Sequence, residues 1–327
     1  MDVRIKDGQI LSDGSHLFSG ALTHREDSYD GRNDEEFEVY RLRYGHTLRP
    51  YTGSLLADND SDKPAGSKNA DIISTLDDGN THTVALQNRI IYQDDEWSTL
   101  CLPFDVDLND TYDTPLENTT VMELDVDGTY DGYYADPEGE YKTGFDASSG
   151  TLYLFFKEAT SIKAGKPYLV KWESLGTGAE GIRAQYYNPV FNDVTIDNSD
   201  EAQARSTVTS QDGKVSFCGS YAYQSWASEN RSILFLGADS YLYWPLAGAH
   251  LGAFRAYFRL NGLTVANINS ARWGFGDEGE TTSLREMRNE ELGVRNSGYY
   301  NLDGRKLDGK PTTKGLYIHN GKKVVIK

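Results

Sequence analysis

The sequence predicts an all-β fold: an antiparallel β-sandwich-like body with a small separate β module at the C-terminal end. Short apolar runs rich in Val, Ile, Phe, Tyr and Trp recur between about residues 70 and 275, and turn-forming residues separate them. Only one stretch of the 327 residues has a convincing helical pattern. The 22 tyrosines fit half-buried pleated surfaces, where one end of a side chain stays in contact with water. These observations favour a sandwich or barrel over an α/β sheet.

Residues 1–54 are predicted to form a small N-terminal β segment. A hairpin is expected around Asp7-Gly8, and the run from Phe37 to Tyr44 alternates well enough for one strand. The polar stretch from Asp58 to Asn69 is typical of a linker or a long exposed loop.

The body is predicted to span residues 55–275 and to be organised around the apolar run from Ile90 to Val106. This run is expected to contain a central strand buried on both faces, with Pro103 at a strand end, an edge or a bulge. Its densest apolar residues are Trp97, Leu100, Leu102 and Phe104. Turns are expected at 146–150, 212–213 and 261–262. The remaining strands are predicted within 82–86, 120–126, 151–156, 167–172, 214–218, 232–237, 241–244 and 254–260.

Residues 276–297 are predicted to form a linker, and residues 298–327 a short-stranded C-terminal module. The linker holds the helix candidate, Ser283 to Leu292, with a capping-box pattern at its start. The module has two strong hairpin signals, Asp303-Gly304 and Asn320-Gly321. From residue 301 onward it carries seven basic and two acidic residues, on a chain with a net charge of −18. We therefore expect it to fold separately from the acidic body.

Charge and hydropathy exclude several classes of partner. An acidic chain with a pI near 4.7 repels phosphate backbones, so no nucleic-acid partner is expected. No apolar run approaches the ~20 residues of a membrane-spanning helix. The chain also opens without the apolar core of a signal peptide, so we expect either a cytosolic protein or a fragment whose export signal lies upstream or was removed.

Several long phrases of the body carry a resemblance to a known group of proteins. They resemble a recurrent β-rich region near the C-terminus of Bacteroidetes-type secreted or surface proteins, many of which carry leucine-rich repeats or adhesin-like domains upstream. The ending YYNLDGRKLDGKPTTKGLYIHNGKKVVIK is similar to the C-terminal sorting-type modules of such proteins. Together the matches cover roughly Leu55 to Lys327. The resemblance implies a secreted or cell-surface location, and it transfers no catalytic residues. The body phrases are LLADND, DIISTLDDGNTHTVALQNRIIYQDDEWSTLCLPFDV, LYLFFKEATSIKAGKPYLVKW, VTSQDGKVSFCGSY and ILFLGADSYLYWPLAGAHLGAFRAYFRL.

No motif in the sequence predicts an enzyme, and no cofactor is expected. The six histidines lack zinc-ligand spacing, and no G-x-S-x-G elbow occurs. Two G-x-G-x-x-G matches begin at Gly176 and Gly274, but the first precedes an extended-looking run and acidic residues follow the second. Cys101 and Cys218 both lie in apolar runs, which leaves two readings: small buried core residues, or a single disulfide between them.

The stretch from Asp105 to Glu140 contains twelve acidic residues and no Lys or Arg. An EF-hand is excluded, because its position six is Asp110 instead of Gly and its position twelve is Leu116 instead of Glu. A looser Ca²⁺ site remains as an alternative to a solvated acidic face. We favour the solvated face and expect no metal. The side chains of the alternative are Asp105, Asp107, Asp110, Asp125, Asp127 and Asp131.

Aromatic residues beside polar ones supply the candidate ligand-binding residues. Sugar C–H faces stack on aromatic rings while hydroxyls need hydrogen-bond acceptors, although β proteins also use Tyr and Trp for packing. The sequence thus predicts a non-enzymatic, exported surface or extracellular module with a structural, adhesion or interaction role. The alternatives are a carbohydrate-binding module and, third, a secreted hydrolase. The partner would be an extracellular glycan or protein. The candidate ligand-binding residues are Tyr133, Tyr134, Trp226, Tyr241 and Trp244.

Overall fold

A computed structural model of the chain describes residues 53–112, 114–131, 139–173, 185–237 and 241–275. Outside these ranges it describes only paired strand residues nearer the two ends. The described part is mostly β-structure in several, largely antiparallel sheets, so the predicted all-β, sandwich-like fold is confirmed. No helix among the described residues is both long enough and apolar enough to span a membrane.

The first 52 residues contain short strands that pair differently from the prediction. They are β1 (Val3–Arg4), β2 (Gln9–Ile10), β3 (His16–Leu17), β4 (Thr23–His24) and β5 (Val39–Tyr40). β1 pairs with β4 and β5, whereas β2 pairs with β3. The hairpin expected around Asp7-Gly8 is therefore wrong. The chain offers a second turn signal of the same kind, Asp13-Gly14, and it is this one that lies between two paired strands.

The body contains a strand within each segment where the sequence predicts one, because short β-branched and aromatic runs alternate there with turn residues. Its elements are β6 (Ser54–Ala57), α1 (Asn69–Leu76), β7 (His82–Gln87), β8 (Ile90–Tyr92), β9 (Trp97–Leu100), β10 (Val106–Asp107), β11 (Thr119–Leu124), β12 (Tyr130–Asp131), β13 (Glu140–Tyr141), β14 (Gly144–Asp146), β15 (Thr151–Glu158), β16 (Ser161–Ile162), β17 (Tyr168–Trp172), β18 (Gln185–Tyr187), β19 (Val190–Val194), α2 (Asp200–Ala204), β20 (Thr207–Thr209), β21 (Val215–Ser220), β22 (Gln224–Ser225), β23 (Ile233–Leu236), β24 (Leu242–Tyr243), β25 (His250–Leu251), β26 (Arg255–Leu260), a 3-10 turn (Val265–Asn267) and β27 (Ser270–Phe275).

The centre of the body is a six-stranded sheet that is covered on both faces. Its strand order is β14-β15-β11-β17-β9, and β27 pairs in parallel with β15. Alternation along β15 sends Leu154 and Phe156 to one face and Tyr153 and Phe155 to the other, and all four are buried. The body therefore has three layers, with this sheet in the middle.

A five-stranded sheet, in the order β20-β21-β26-β23-β24, forms the second layer. Aromatic rings fill the core between it and the middle sheet. Phe217 stacks on Phe258 with ring centroids 4.6 Å apart, and Phe156 of the middle sheet meets Phe217 edge-on at 6.1 Å. Such pairs add stability beyond the area they bury.

The third layer, on the opposite face of the middle sheet, is the three-stranded sheet β19-β7-β6 with helix α1. Tyr168, Val170 and Trp172 all point into this core, as the alternation in PYLVKW predicts. The buried Trp172 indole donates a hydrogen bond to the Pro115 carbonyl at 2.7 Å, so its one polar group is satisfied.

The strand expected through Trp97, Leu100, Leu102 and Phe104 is shorter and less central than predicted. β9 ends at Leu100 and lies at one end of the middle sheet's strand order, so the expectation of a central strand is wrong. The backbone then turns away, and Cys101 N–H donates to the Phe254 carbonyl. Pro103 lies beyond the end of this strand, so its lack of a backbone N–H removes no hydrogen bond from the sheet. Leu100, Leu102 and Phe104 are nevertheless fully buried.

The two helices were not predicted, and α1 begins at the last residue of the segment expected to be a linker or loop. Its first turn is fixed by the Asp71 carboxylate, which accepts hydrogen bonds from the Gly66 and Lys68 N–H groups at 2.8 and 3.2 Å. α2 is one short turn in which Ser199 caps the Ala202 N–H. The helix candidate at 283–292 lies outside the described residues.

The two cysteines are buried and unpaired, which selects the core reading over the disulfide. The Cys101 sulfur lies against Gly219 and donates to the Gly165 carbonyl at 3.1 Å. Cys218 precedes Gly219 in the same strand, so its side chain points to the opposite face of β21. Burial raises the pKa of both thiols.

The C-terminal residues form a four-stranded sheet in the order β29-β28-β30-β31, as the two turn signals predict. In the described part of the chain, none of these strands pairs with a strand of the body. The strands are β28 (Tyr299–Tyr300), β29 (Lys306–Leu307), β30 (Gly315–His319) and β31 (Lys322–Ile326).

Candidate functional site

Three of the predicted ligand-binding residues, Trp226, Tyr241 and Trp244, lie among the described residues, whereas Tyr133 and Tyr134 do not. Trp226 and Trp244 come together in one feature. The segments 223–231 and 244–251 run side by side as an irregular antiparallel ribbon, called here the aromatic ribbon. Its backbone bonds join β22 to β25, Trp226 N–H to the Ala249 carbonyl at 3.0 Å, and Asn230 N–H to the Pro245 carbonyl at 2.9 Å.

Trp226 faces the inside of the ribbon and covers the outer face of the five-stranded sheet. Its ring is tilted against Phe235, with centroids 4.8 Å apart, and meets Tyr257 edge-on at 6.4 Å. Leu251 of the ribbon belongs to the same small core. Trp226 therefore attaches the ribbon to the sheet, which is a packing role. Tyr241 is half-buried, and its carbonyl accepts from Gly237 N–H.

Trp244 is half-buried like Trp226, but polar side chains lie at the edge of its ring. Its indole N–H donates to the Glu229 carboxylate at 2.9 Å, and Arg231 pairs with the same carboxylate at 2.8 Å. Hydrogen bonds from Arg231 and from Trp244 hold the pKa of Glu229 below its ordinary value. At neutral pH the site thus presents a carboxylate and a guanidinium beside an aromatic ring.

The sequence analysis missed the aromatic pair at the other end of the ribbon. Tyr223 stacks on the exposed His250 with ring centroids 5.4 Å apart. The buried Asp60 carboxylate accepts from the Tyr223 N–H and from the Asn69 N–H, both at 3.2 Å. These residues are far apart in the chain, so only the strand pairing of β22 with β25 could have revealed the pair.

A cluster of charged side chains close to this end also escaped prediction. Asp58 accepts a hydrogen bond from Arg255, and the Arg89 guanidinium approaches the same carboxylate to 4.0 Å. Arg89 is buried and donates to the Thr99 carbonyl at 3.1 Å. Gly252 leaves room for the Asp58–Arg255 pair, because a Cβ there would overlap both groups. The cluster joins the residue that follows β6, the turn between β7 and β8, and the start of β26, so it is an anchor between layers.

No family model, curated protein or solved structure matches this chain.

The acidic stretch is divided among separate contacts. Asp105 pairs with Lys163 at 2.6 Å and accepts from the Ala164 N–H, while Asp107 accepts from Asn109. Asp105, Asp107, Asn109 and Lys163 border an open cavity of about 390 Å³. In the part of the chain that the structure describes, no three His, Cys, Asp or Glu side chains are grouped as metal ligands would be.

Asp125 belongs to a different network, beside the Tyr130 ring that stacks on Phe155 of the middle sheet. It accepts from the Tyr130 hydroxyl at 2.7 Å and pairs with Lys157 at 3.3 Å. Burial favours the neutral acid, but the hydrogen bonds from Tyr130, the backbone and Lys157 outweigh it, and the pKa of Asp125 is lowered. The side chain of Asp131 lies outside the described residues.

Proposed function

We propose that the chain is a non-enzymatic, exported module with a structural, adhesion or interaction role at the cell surface. The observation that supports the non-enzymatic part is the state of its ionisable groups. A carboxyl group that acts as a general acid near neutral pH needs a raised pKa. Every described carboxyl group with a shifted pKa is shifted downward by its hydrogen bonds. These groups are Asp78, Asp107, Asp125, Asp146, Asp197 and Glu229.

The strongest nucleophiles of the chain are also shielded. Because burial raises the pKa of the Cys101 and Cys218 thiols, both stay neutral, and the thiolate is the reactive form. Among the described residues, the two thiols and the carboxyl groups with shifted pKa values are therefore engaged in the fold, which leaves the polar and aromatic surface for binding. The resemblance of the sequence to exported surface proteins supports the location.

The location is tested by protease treatment of intact cells that produce the protein. We expect a protease added outside the cells to remove the protein while a cytosolic marker survives. Protein that is degraded only after lysis would overturn the surface assignment. The non-enzymatic part is tested with dye-labelled polysaccharides, and release of dye by the purified full chain would refute it.

A further inference from the structure

We propose that Trp244, Glu229 and Arg231 form a subsite for a neutral pyranose unit of a polysaccharide. The proposal rests on the function proposed above and names the class of partner: a neutral glycan. It is carried by the contacts at the outer end of the aromatic ribbon.

The Trp244 ring has the properties of a sugar platform. The larger part of it is buried against the core between the five-stranded and middle sheets, and the smaller part is exposed to solvent. The ring is held in place, because its indole N–H is bonded to Glu229 and the adjacent Pro245 carbonyl accepts from Asn230. The face of an indole carries partial negative charge, so the weakly positive C–H groups on one side of a pyranose are attracted to it.

The edge of the platform supplies the groups that sugar hydroxyls need. Each carboxylate oxygen accepts more than one hydrogen bond, and a guanidinium has five N–H donors. Glu229 and Arg231 are both exposed, so these remaining positions face solvent. The Asn230 side-chain oxygen is already engaged by the Ser232 N–H and hydroxyl, at 3.0 and 2.7 Å. Glu229 therefore supplies the acceptor oxygens, and Arg231 the charged donors, at this edge of the ring.

The charge at the subsite selects a neutral glycan over an acidic one. Arg231 already neutralises Glu229 at 2.8 Å, so it offers no spare positive charge to a uronate. The whole chain carries a net charge of −18, which repels an anionic polysaccharide at long range. A neutral sugar meets no such penalty.

The test is affinity electrophoresis of the full chain in native gels that contain a soluble polysaccharide. The probes are a mixed-linkage β-glucan, a starch-type α-glucan, a galactomannan and, as the acidic arm, polygalacturonate. Trp244→Ala removes the platform, and Glu229→Ala removes the acceptor at an exposed position. Tyr112→Ala is the matched control, because Tyr112 is an aromatic residue with 82% of its surface exposed elsewhere on the body.

We expect at least one neutral polysaccharide to retard the chain, about tenfold weaker binding in Trp244→Ala and Glu229→Ala, and no change in Tyr112→Ala. If Trp244→Ala loses its near-UV circular dichroism, it has lost its tertiary structure, and the binding measured for Glu229→Ala then decides whether the subsite exists. The proposal is overturned if no neutral polysaccharide retards the chain, if both variants bind like the parent, or if polygalacturonate retards it as strongly. If the electrophoresis gives one of these results while protease treatment shows the protein on the surface of intact cells, the sugar subsite is refuted and the proposed surface location is not.

Discussion

The contact between Cys101 and Gly219 makes a sharp prediction about packing. Gly219 has an ordinary backbone conformation, so a side chain at this position is limited by space alone. A Cβ added there would lie 2.4 Å from the Cys101 sulfur and 3.2 Å from the Gly165 carbonyl oxygen. Gly219→Ala should therefore overpack the core and lower the free energy of unfolding by ~1–3 kcal/mol.

Removing the sulfur should reverse much of that loss. Cys101→Ala alone vacates a fully buried position and should cost ~1–2 kcal/mol through lost contacts and a small cavity. In the double variant the new methyl group occupies the space that the sulfur leaves. We expect the double variant to lose less than the sum of the two single losses, with a coupling of ~1–3 kcal/mol.

Urea unfolding followed by tryptophan fluorescence measures all four proteins of this cycle, and equal slopes confirm that the unfolded states are comparable. Cys218→Ala provides the matched control, because the Cys218 side chain lies on the other face of β21 and should combine with Gly219→Ala additively. Strict additivity of Cys101→Ala with Gly219→Ala, or equal rescue by Cys218→Ala, would contradict the packing described here.

Three other measurements test the fold. Leu100→Ala, at a fully buried position, should cost ~2–5 kcal/mol in urea melts, and a loss below ~1 kcal/mol would place Leu100 outside the core. Because the folded pKa of Asp125 is lowered, its contribution to the free energy of unfolding is present above the unfolded pKa of ~3.9 and is lost as pH falls through the folded pKa. Tyr130→Phe removes one of the hydrogen bonds that lower this pKa, so urea melts between about pH 2.5 and 7 should show a weaker loss of stability on the acid side. An unchanged dependence of stability on pH would exclude the Tyr130 bond as a cause. Limited proteolysis should cut within 276–297 and leave a stable body ending near Phe275, whereas unfolding of the body after that cut would refute a separable C-terminal module.

The strands could be predicted from sequence because their signals are local. The alternation in β17 assigned Tyr168, Val170 and Trp172 to one face without knowledge of any partner strand. Asp212-Gly213 likewise marks a turn by its own backbone preferences, and β20 pairs with β21 across it.

What could not be predicted depends on contacts between distant segments. Helix α1 has only eight residues, too few to be stable by propensity alone. It is fixed by the buried Asn69, whose side chain bonds to both Ala57 and the Tyr221 carbonyl. The two ribbon tryptophans look equally suited to a ligand in the sequence, and only Phe235 and Tyr257 distinguish Trp226 as a packing residue.

The position of Trp226 also explains how the ribbon holds the proposed binding residue, Trp244, in place. A flexible aromatic side chain must be immobilised when it binds, and that ordering reduces the affinity. Trp226 and Leu251 bind the inner face of the ribbon to Phe235 on the five-stranded sheet. Asp60 holds the Tyr223 end of the ribbon to the start of helix α1. Trp244 therefore extends from a support whose own side chains are fixed by packing, and precise recognition requires binding side chains that are held in this way.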